Sequence, residues 1–171
     1  AEKMHPAGRA VPPQFRVANM RELTIDGQYD GAYCWGNSFG YLDHEETVAF
    51  LGAVARSLRQ KARFVLETGT AAESALVNWQ PRHWYEFGDL HFLVDNKYDA
   101  RESRFQTKLT FIRDGKVETR EISQAVYTVA ELRRMLTAAG FDPIAEHSDP
   151  SATPYALGAR SLILIAERRA T

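Results

Sequence analysis

The tetrapeptide Trp35-Gly36-Asn37-Ser38 holds residue types suited to receiving a small molecule. Glycine lets the backbone come close to a ligand, and asparagine carries a donor and an acceptor on one side chain. An apolar run precedes the tetrapeptide and a helical pattern follows it. That order puts it at the carboxyl edge of a parallel sheet, where α/β folds bind their ligands. A plain turn before the helix would use the same Gly36 and Asn37, and spacing does not separate the two readings. Asn19 is a second candidate on that edge, or else a cap for local backbone. Trp79 and His83-Trp84-Tyr85 form an aromatic group that can roof a pocket or cover a cationic centre, or simply fill core.

Other chemistries find little support. The five histidines show no ligand spacing and one cysteine cannot build a structural zinc site, so no metal is expected. Cys34 falls inside an apolar run, as an inert thiol would. The sequence contains no G-x-S-x-G nucleophile elbow and no G-x-x-x-x-G-K-[ST] phosphate loop, which leaves hydrolase and kinase readings without a motif.

The elements that must position these residues follow from periodicity. Residues 14–20 (QFRVANM) alternate apolar and polar, which predicts a short strand with Asn19 at its tip. Asp26-Gly27 marks a turn. Residues 29–35 (YDGAYCW) are almost uncharged after Asp30, the pattern of a strand covered on both faces. Asp43 and Glu46 have capping-box spacing, and Val48, Leu51, Val54, Ala55 and Leu58 then repeat as one helical stripe. Residues 63–67 (RFVLE) return as a buried strand. Strand, helix and strand in this order predict a βαβ unit with parallel strands. After Gly69 the spacing of Leu90, Phe92 and Val94, and of Phe105, Leu109 and Phe111, predicts an antiparallel section with one wet face. Asp114-Gly115 is its hairpin signal. Thr128 and Glu131 form a second capping box before Leu132, Met135, Leu136 and Ala139, with Gly140 as the stop. Residues 161–166 (SLILIA) close the chain as a buried strand.

Composition bounds the rest. The 171 residues are 44% hydrophobic and carry a net charge of -1, which fits one globular domain rather than a disordered or low-complexity chain. So balanced a charge gives no long-range field to hold a polyanion, and nucleic acid is not the expected partner. No apolar run approaches the ~20 residues that span a bilayer. The single cysteine excludes an intramolecular disulfide, so a cytoplasmic setting is expected. Residues 1–13, with three prolines, read as a flexible leader.

FRVANMREL, DGQYDGAYCWGNSFGYLDHEE and VARSLRQKARFVLETG, in that order, resemble class I S-adenosylmethionine-dependent methyltransferases. Within these they resemble the small-molecule branch of the glycine and sarcosine N-methyltransferases. RHWYEFGDL, VYTVAELRRMLTAAGF and RSLILIAER extend the likeness from Phe15 to Arg168. The resemblance implies a partial Rossmann-like α/β fold, with an antiparallel β section inserted before the last helix and strands. Residues 14–70 would form the Rossmann-like part, 71–127 the antiparallel section and 128–171 the closing helix and strands. It implies S-adenosylmethionine as cofactor, with Asn19 and the backbone of Met20 toward adenine and Trp35 toward the methionine part. Gly36 and Asn37 would orient a small-molecule acceptor, and Trp84 and Tyr85 would help close the site. The family's glycine-rich D-x-G-x-G-like loop and ribose-binding acid have no counterpart in these residues, and the first two strands of its fold are missing. Weak or absent binding of the cofactor by this chain alone is expected.

A non-catalytic ligand-binding or subunit module derived from the same fold is the competing expectation. The family sheet order 3-2-1-4-5-7-6 would set residues 14–20 on the order of 14 Å from residues 29–35. An open apolar edge there is a hazard. It is expected to be paired either by residues 14–20 or by a second copy of the chain in a homo-oligomer.

Overall fold

The computed structural model describes residues 13–24 and 28–170. The expected Asp26-Gly27 turn and nearly all of the leader lie outside them. Two four-stranded sheets make up the fold. The first contains β1 (Tyr29–Cys34), β2 (Leu58–Thr68), β7 (Phe141–His147) and β8 (Leu162–Arg168), in the order β1-β2-β8-β7. Strands β1 and β2 run parallel, and β8 is antiparallel to both β2 and β7. The order reproduces the 4-5-7-6 half of the sheet that the resemblance implies. The second sheet is a meander of β3 (Arg82–Phe87), β4 (Leu90–Asp99), β5 (Arg104–Arg113) and β6 (Lys116–Ala125), each antiparallel to the next.

Helix α1 (His44–Ser57) crosses from β1 to β2. Asp43 caps it, accepting from the Glu46 N–H at 2.8 Å while the Glu46 carboxylate accepts from the Asp43 N–H at 3.2 Å. Helix α3 (Val129–Ala138) starts on the matching Thr128–Glu131 box and stops at Gly140, whose φ of +96° a side chain would resist. Both helices turn their apolar stripes onto one face of the first sheet. Leu51 from α1, Leu132 and Leu136 from α3, and Phe64, Leu66, Phe141, Leu162 and Leu164 from the strands are all buried there. The rings of Phe64 and Phe141 lie 5.6 Å apart in that core. A four-residue helix, α2 (Ala72–Ala75), leads from the first sheet to the second.

Several expectations change. Residues 14–20 do not form a strand: Phe15 and Val17 point into solvent, and the segment ends in a single 3₁₀ turn (Met20–Glu22). Alternation alone carries no strand when no neighbouring edge takes the hydrogen bonds. Strand β1 ends at Cys34 and is exposed along most of its length, not covered on both faces, because it pairs only with β2 among the described residues. Leu58 belongs to β2 rather than to the helix, and β2 begins as soon as α1 ends. His83, Trp84 and Tyr85 lie in β3, the first strand of the antiparallel section. The hairpin reading holds at Asp114 and Gly115, whose φ angles of 50° and 70° are those of a type I′ turn joining β5 to β6.

Arg104 fastens the two sheets together. Its guanidinium donates to Ser123 Oγ at 2.9 Å within the meander, and to the Leu42 carbonyl at 3.2 Å in the loop before α1. Beside it Ala125 N–H donates to the Gly40 carbonyl at 2.7 Å. A Cβ at Gly40 would sit 3.1 Å from the Ala125 carbonyl oxygen, so this approach depends on glycine.

Candidate functional site

The loop that follows β1 is held from β2. Gly36 and Asn37 both have left-handed backbones, with φ of 73° and 56°. Consecutive left-handed residues turn their N–H groups to one side, and both groups donate to Glu67 Oε2, at 2.9 and 3.0 Å. The other oxygen of Glu67 accepts from Ser161 Oγ, just before β8. One carboxylate thus ties together the ends of three neighbouring strands. Asn37 Oδ1 in turn accepts from Thr68 Oγ1 at 3.2 Å and from Gly69 N–H at 3.1 Å.

A second set of contacts joins this loop to the meander. Gln124, only 7% exposed near the end of β6, donates from Nε2 to the Asn37 carbonyl at 3.2 Å. Gln124 also lines a cleft of about 360 Å³ over the inner face of the second sheet, with Trp79, His83, Tyr85, Phe105 and Thr107. Trp79 stacks on Phe105 at 5.1 Å, and Tyr85 stacks on Phe92 at 6.0 Å. Ala75, Asn78, Trp79 and Gln80 line both this cleft and a neighbouring one that reaches Gly69, Ser74 and Arg160. Gly69 N–H donates to Asn37, so the held loop adjoins the second cleft.

Each residue singled out from sequence has a definite place. Asn19 caps the 3₁₀ turn, its Oδ1 accepting from Arg21 N–H at 3.1 Å, and Met20 is the first residue of that turn. Arg21 reaches Glu46 at 2.6 Å, which sets the turn against the start of α1. Trp35 is partly exposed, and its carbonyl accepts from Ser38 Oγ at 2.8 Å. Strand register separates Trp84 from Tyr85. Tyr85 faces the cleft with His83, whereas Trp84, 62% exposed, lies on the opposite face beside Leu93. Glu67 and Gln124 are the residues that sequence reasoning missed. Glu67 had a signal, a lone charge at the end of the buried RFVLE strand. Gln124 had none, since its role depends on pairing between distant strands.

The thiol of Cys34, on β1, is pushed up from its ordinary pKa first by burial and then by the nearby Glu67 charge. It is therefore a protonated thiol at neutral pH and no nucleophile. Among the described residues no group of His, Cys, Asp and Glu is placed to hold a metal ion, and no helix is long and apolar enough to cross a membrane.

No protein-family model and no curated protein sequence matches this chain. Solved structures do. A S-adenosylmethionine-dependent methyltransferase from Clostridium acetobutylicum superposes with a TM-score of 0.82 at 14% identity, over 94% of this chain and 66% of that one. The CcbJ methyltransferase from Streptomyces caelestis gives 0.78 at 16% identity, over 90% and 62%. An amino pentose methyltransferase from Micromonospora echinaspora, solved with S-adenosylmethionine bound, gives 0.65 at 15% identity, over 88% and 63%. The fold is that of S-adenosylmethionine-dependent methyltransferases. The chain spans less than two thirds of the length of each of these structures.

Proposed function

We propose that this chain takes part in S-adenosylmethionine-dependent methyl transfer to a small molecule, and that it contributes the acceptor side of the site. The observation that carries the reading is the loop of Gly36 and Asn37, held at the carboxyl end of β1 and tied through Gln124 to the aromatic cleft that Gln124 lines. Two of the similar proteins are an S-adenosylmethionine-dependent methyltransferase and an amino pentose methyltransferase with that cofactor bound. The narrower glycine and sarcosine branch has no support beyond the sequence likeness.

The residues present fit part of the cofactor. A Cβ built on Gly36 meets nothing within 4 Å, so the loop surface has room for a ligand against the backbone. The Trp35 carbonyl and Asn19 Oδ1 each accept one hydrogen bond from the protein and keep a second lone pair, for the methionine part and the adenine respectively. S-adenosylmethionine, when bound, supplies an electrophilic methyl group. The part left to the protein is alignment: the loop fixes where the acceptor sits, and the meander shields it from water. Little acid-base chemistry is required, which suits a site without a catalytic His or Cys. Glu67 and Gln124 act here as positioning residues through the backbone of Asn37.

A second reading, a non-catalytic module of the same fold, draws on Asn37, whose side-chain oxygen is already engaged by Thr68 and Gly69. Spectroscopy of the amides separates the two. S-adenosylmethionine at millimolar concentration should shift the Trp35, Gly36 and Asn37 amide signals, while calorimetry finds no micromolar binding because the glycine-rich loop and the ribose-binding acid have no counterpart here. Unmoved loop amides would remove the methyl-transfer reading. Under the same reading the exposed β1 edge is covered by a second copy of the chain in a homo-oligomer.

A further inference from the structure

A groove at the far end of the first sheet gathers positive charge without a carboxylate lining it. It runs between α1 and α3, holds about 580 Å³, and is lined by Val48, Ala49 and Gly52 of α1 and by Ala138 and Ala139 at the end of α3. Arg56, Arg168 and Arg169 line it as well, and among the described residues no Asp or Glu does. Helix α1 ends where β2 begins, so the groove lies at the opposite end of β2 from Glu67 and the loop that Glu67 holds.

Contacts with the lining residues place two of the guanidinium groups. Arg56 Nη1 lies 3.4 Å from the position that a Cβ would take on Gly52, so the side chain folds back along the helix over a residue of the groove. Arg168 Nη1 donates to the carbonyl of Ala55, another lining residue, and to that of Leu58 at 2.7 Å. The two groups are thus about one to two helical turns apart along α1, and the long Arg56 side chain can bring both onto one anion. Neither has a carboxylate partner among the described residues, whereas Arg169 in the same groove is held by Asp142 at 2.6 Å. Arg56 makes no hydrogen bond among those residues, and Nε and Nη2 of Arg168 make none either. The carboxyl ends of α1 and α3 each offset about half an elementary charge, which still leaves the groove net positive.

We propose that this groove binds a small molecule carrying a phosphate group, held by Arg56 and Arg168 with its organic part against α1 and α3. A phosphate monoester offers three terminal oxygens and close to two negative charges, enough for both guanidinium groups at once, while a carboxylate fills one planar fork. The small side chains of Ala49, Gly52, Ala138 and Ala139 leave room for the organic part, and the volume falls within the range of small-molecule sites. The inference is independent of the methyl-transfer reading, since the groove shares no residue with the loop after β1 or with the meander.

The test titrates phenyl phosphate, benzoate and phenol, the same ring with different head groups, separately into the full chain without S-adenosylmethionine. Arginine Nε–H and backbone amide signals are followed in proton–nitrogen spectra. Phenyl phosphate at millimolar concentration is expected to move the Arg168 Nε–H signal and the Gly52 and Gly140 amides, and to bind tighter than benzoate. Phenol should leave those signals in place, and added salt should weaken phenyl phosphate binding. Arg56→Gln should lower the affinity about tenfold. Arg82→Gln, which removes the same charge from the meander, should leave it unchanged. Arg56 is exposed, so its variant should keep the fold, and an unshifted urea midpoint checks this. Signals that phenyl phosphate leaves unmoved, benzoate binding as tightly, phenol moving the same signals, or equal losses from the two variants would each overturn the proposal. The titrations of the unmodified chain decide it without any variant. Because no methyl donor is present, a failed methyl-transfer reading leaves these outcomes unaffected.

Discussion

The carboxylate of Glu67 accepts the backbone N–H of Asn37 at 3.0 Å, so a residue at the end of β2 sets the conformation of the loop after β1. Gly36 N–H donates to the same oxygen at 2.9 Å, and the Asn37 side chain returns the contact by accepting from Gly69 at 3.1 Å. The two strand ends are thereby locked reciprocally, and either half of the lock can be removed by substitution.

Asn37 carries two separable costs. Asn37→Ala loses both side-chain hydrogen bonds and puts a Cβ-bearing residue without a local partner at φ 56°. Asn37→Gly loses the same hydrogen bonds but accepts the backbone. Urea unfolding should therefore find the alanine variant less stable than the glycine variant by about 1 kcal/mol. Equal stability would mean that the loop relaxes to another conformation. Under the methyl-transfer proposal either variant should also lower turnover more than cofactor affinity, because alignment of the acceptor is what would be lost.

The Glu67 charge also acts on the thiol of Cys34, whose pKa is raised first by burial and then by that charge. Glu67→Gln keeps an oxygen acceptor for the loop and removes the charge. The thiol pKa should fall toward its ordinary value, and alkylation by iodoacetamide should set in at lower pH than in the unmodified chain. A superimposable rate profile from neutral to alkaline pH would show that burial alone controls the thiol.

The capping box of α3 gives a prediction with a pH sign. Glu131 is held below its ordinary pKa chiefly by the hydrogen bond from the Thr128 backbone. Its unfolded value is near 4.3. Its contribution is therefore complete above that pH and is lost as the pH falls through the lower, folded value. Thr128→Ala should cost about 1 kcal/mol at neutral pH. Glu131→Gln should flatten the acid limb of the stability curve, and a limb unchanged by that substitution would rule out Glu131 as its source.

The outer side of β1 from Gly31 to Cys34 tests the homo-oligomer proposal. Only β2 pairs with this strand among the described residues, and Tyr33 is 78% exposed on it. From Gly31 to Cys34 this edge carries no charge, and such an edge is a ready template for a partner strand. Equilibrium sedimentation should find a dimer, and hydrogen exchange at Ala32, Tyr33 and Cys34 should slow as protein concentration rises. A monomer with rapid exchange at these amides would leave the edge uncovered and the proposal wrong.

Much of this molecule was legible in the sequence because it depends on neighbours along the chain. The capping boxes at Asp43 and Thr128, the apolar stripe through Leu51 and Val54 and the Asp114-Gly115 hairpin turn arise from neighbours a few residues apart, where residue type and spacing suffice, and the strand-helix-strand unit followed from the order of such elements. The position of Gly36 and Asn37 at a sheet edge followed from the same order of elements. Tertiary structure decided what pairing decides. Residues 14–20 alternate like a strand yet form none, since no edge receives them. Trp84 and Tyr85 are adjacent in sequence, but the pleat sends them to opposite faces of the meander, and only the register with Leu93 and Phe92 shows which of them meets the cleft. Glu67 and Gln124 owe their roles to hydrogen bonds made across long separations in the chain. The sequence supplies the groups, and the folded chain alone determines which of them find partners.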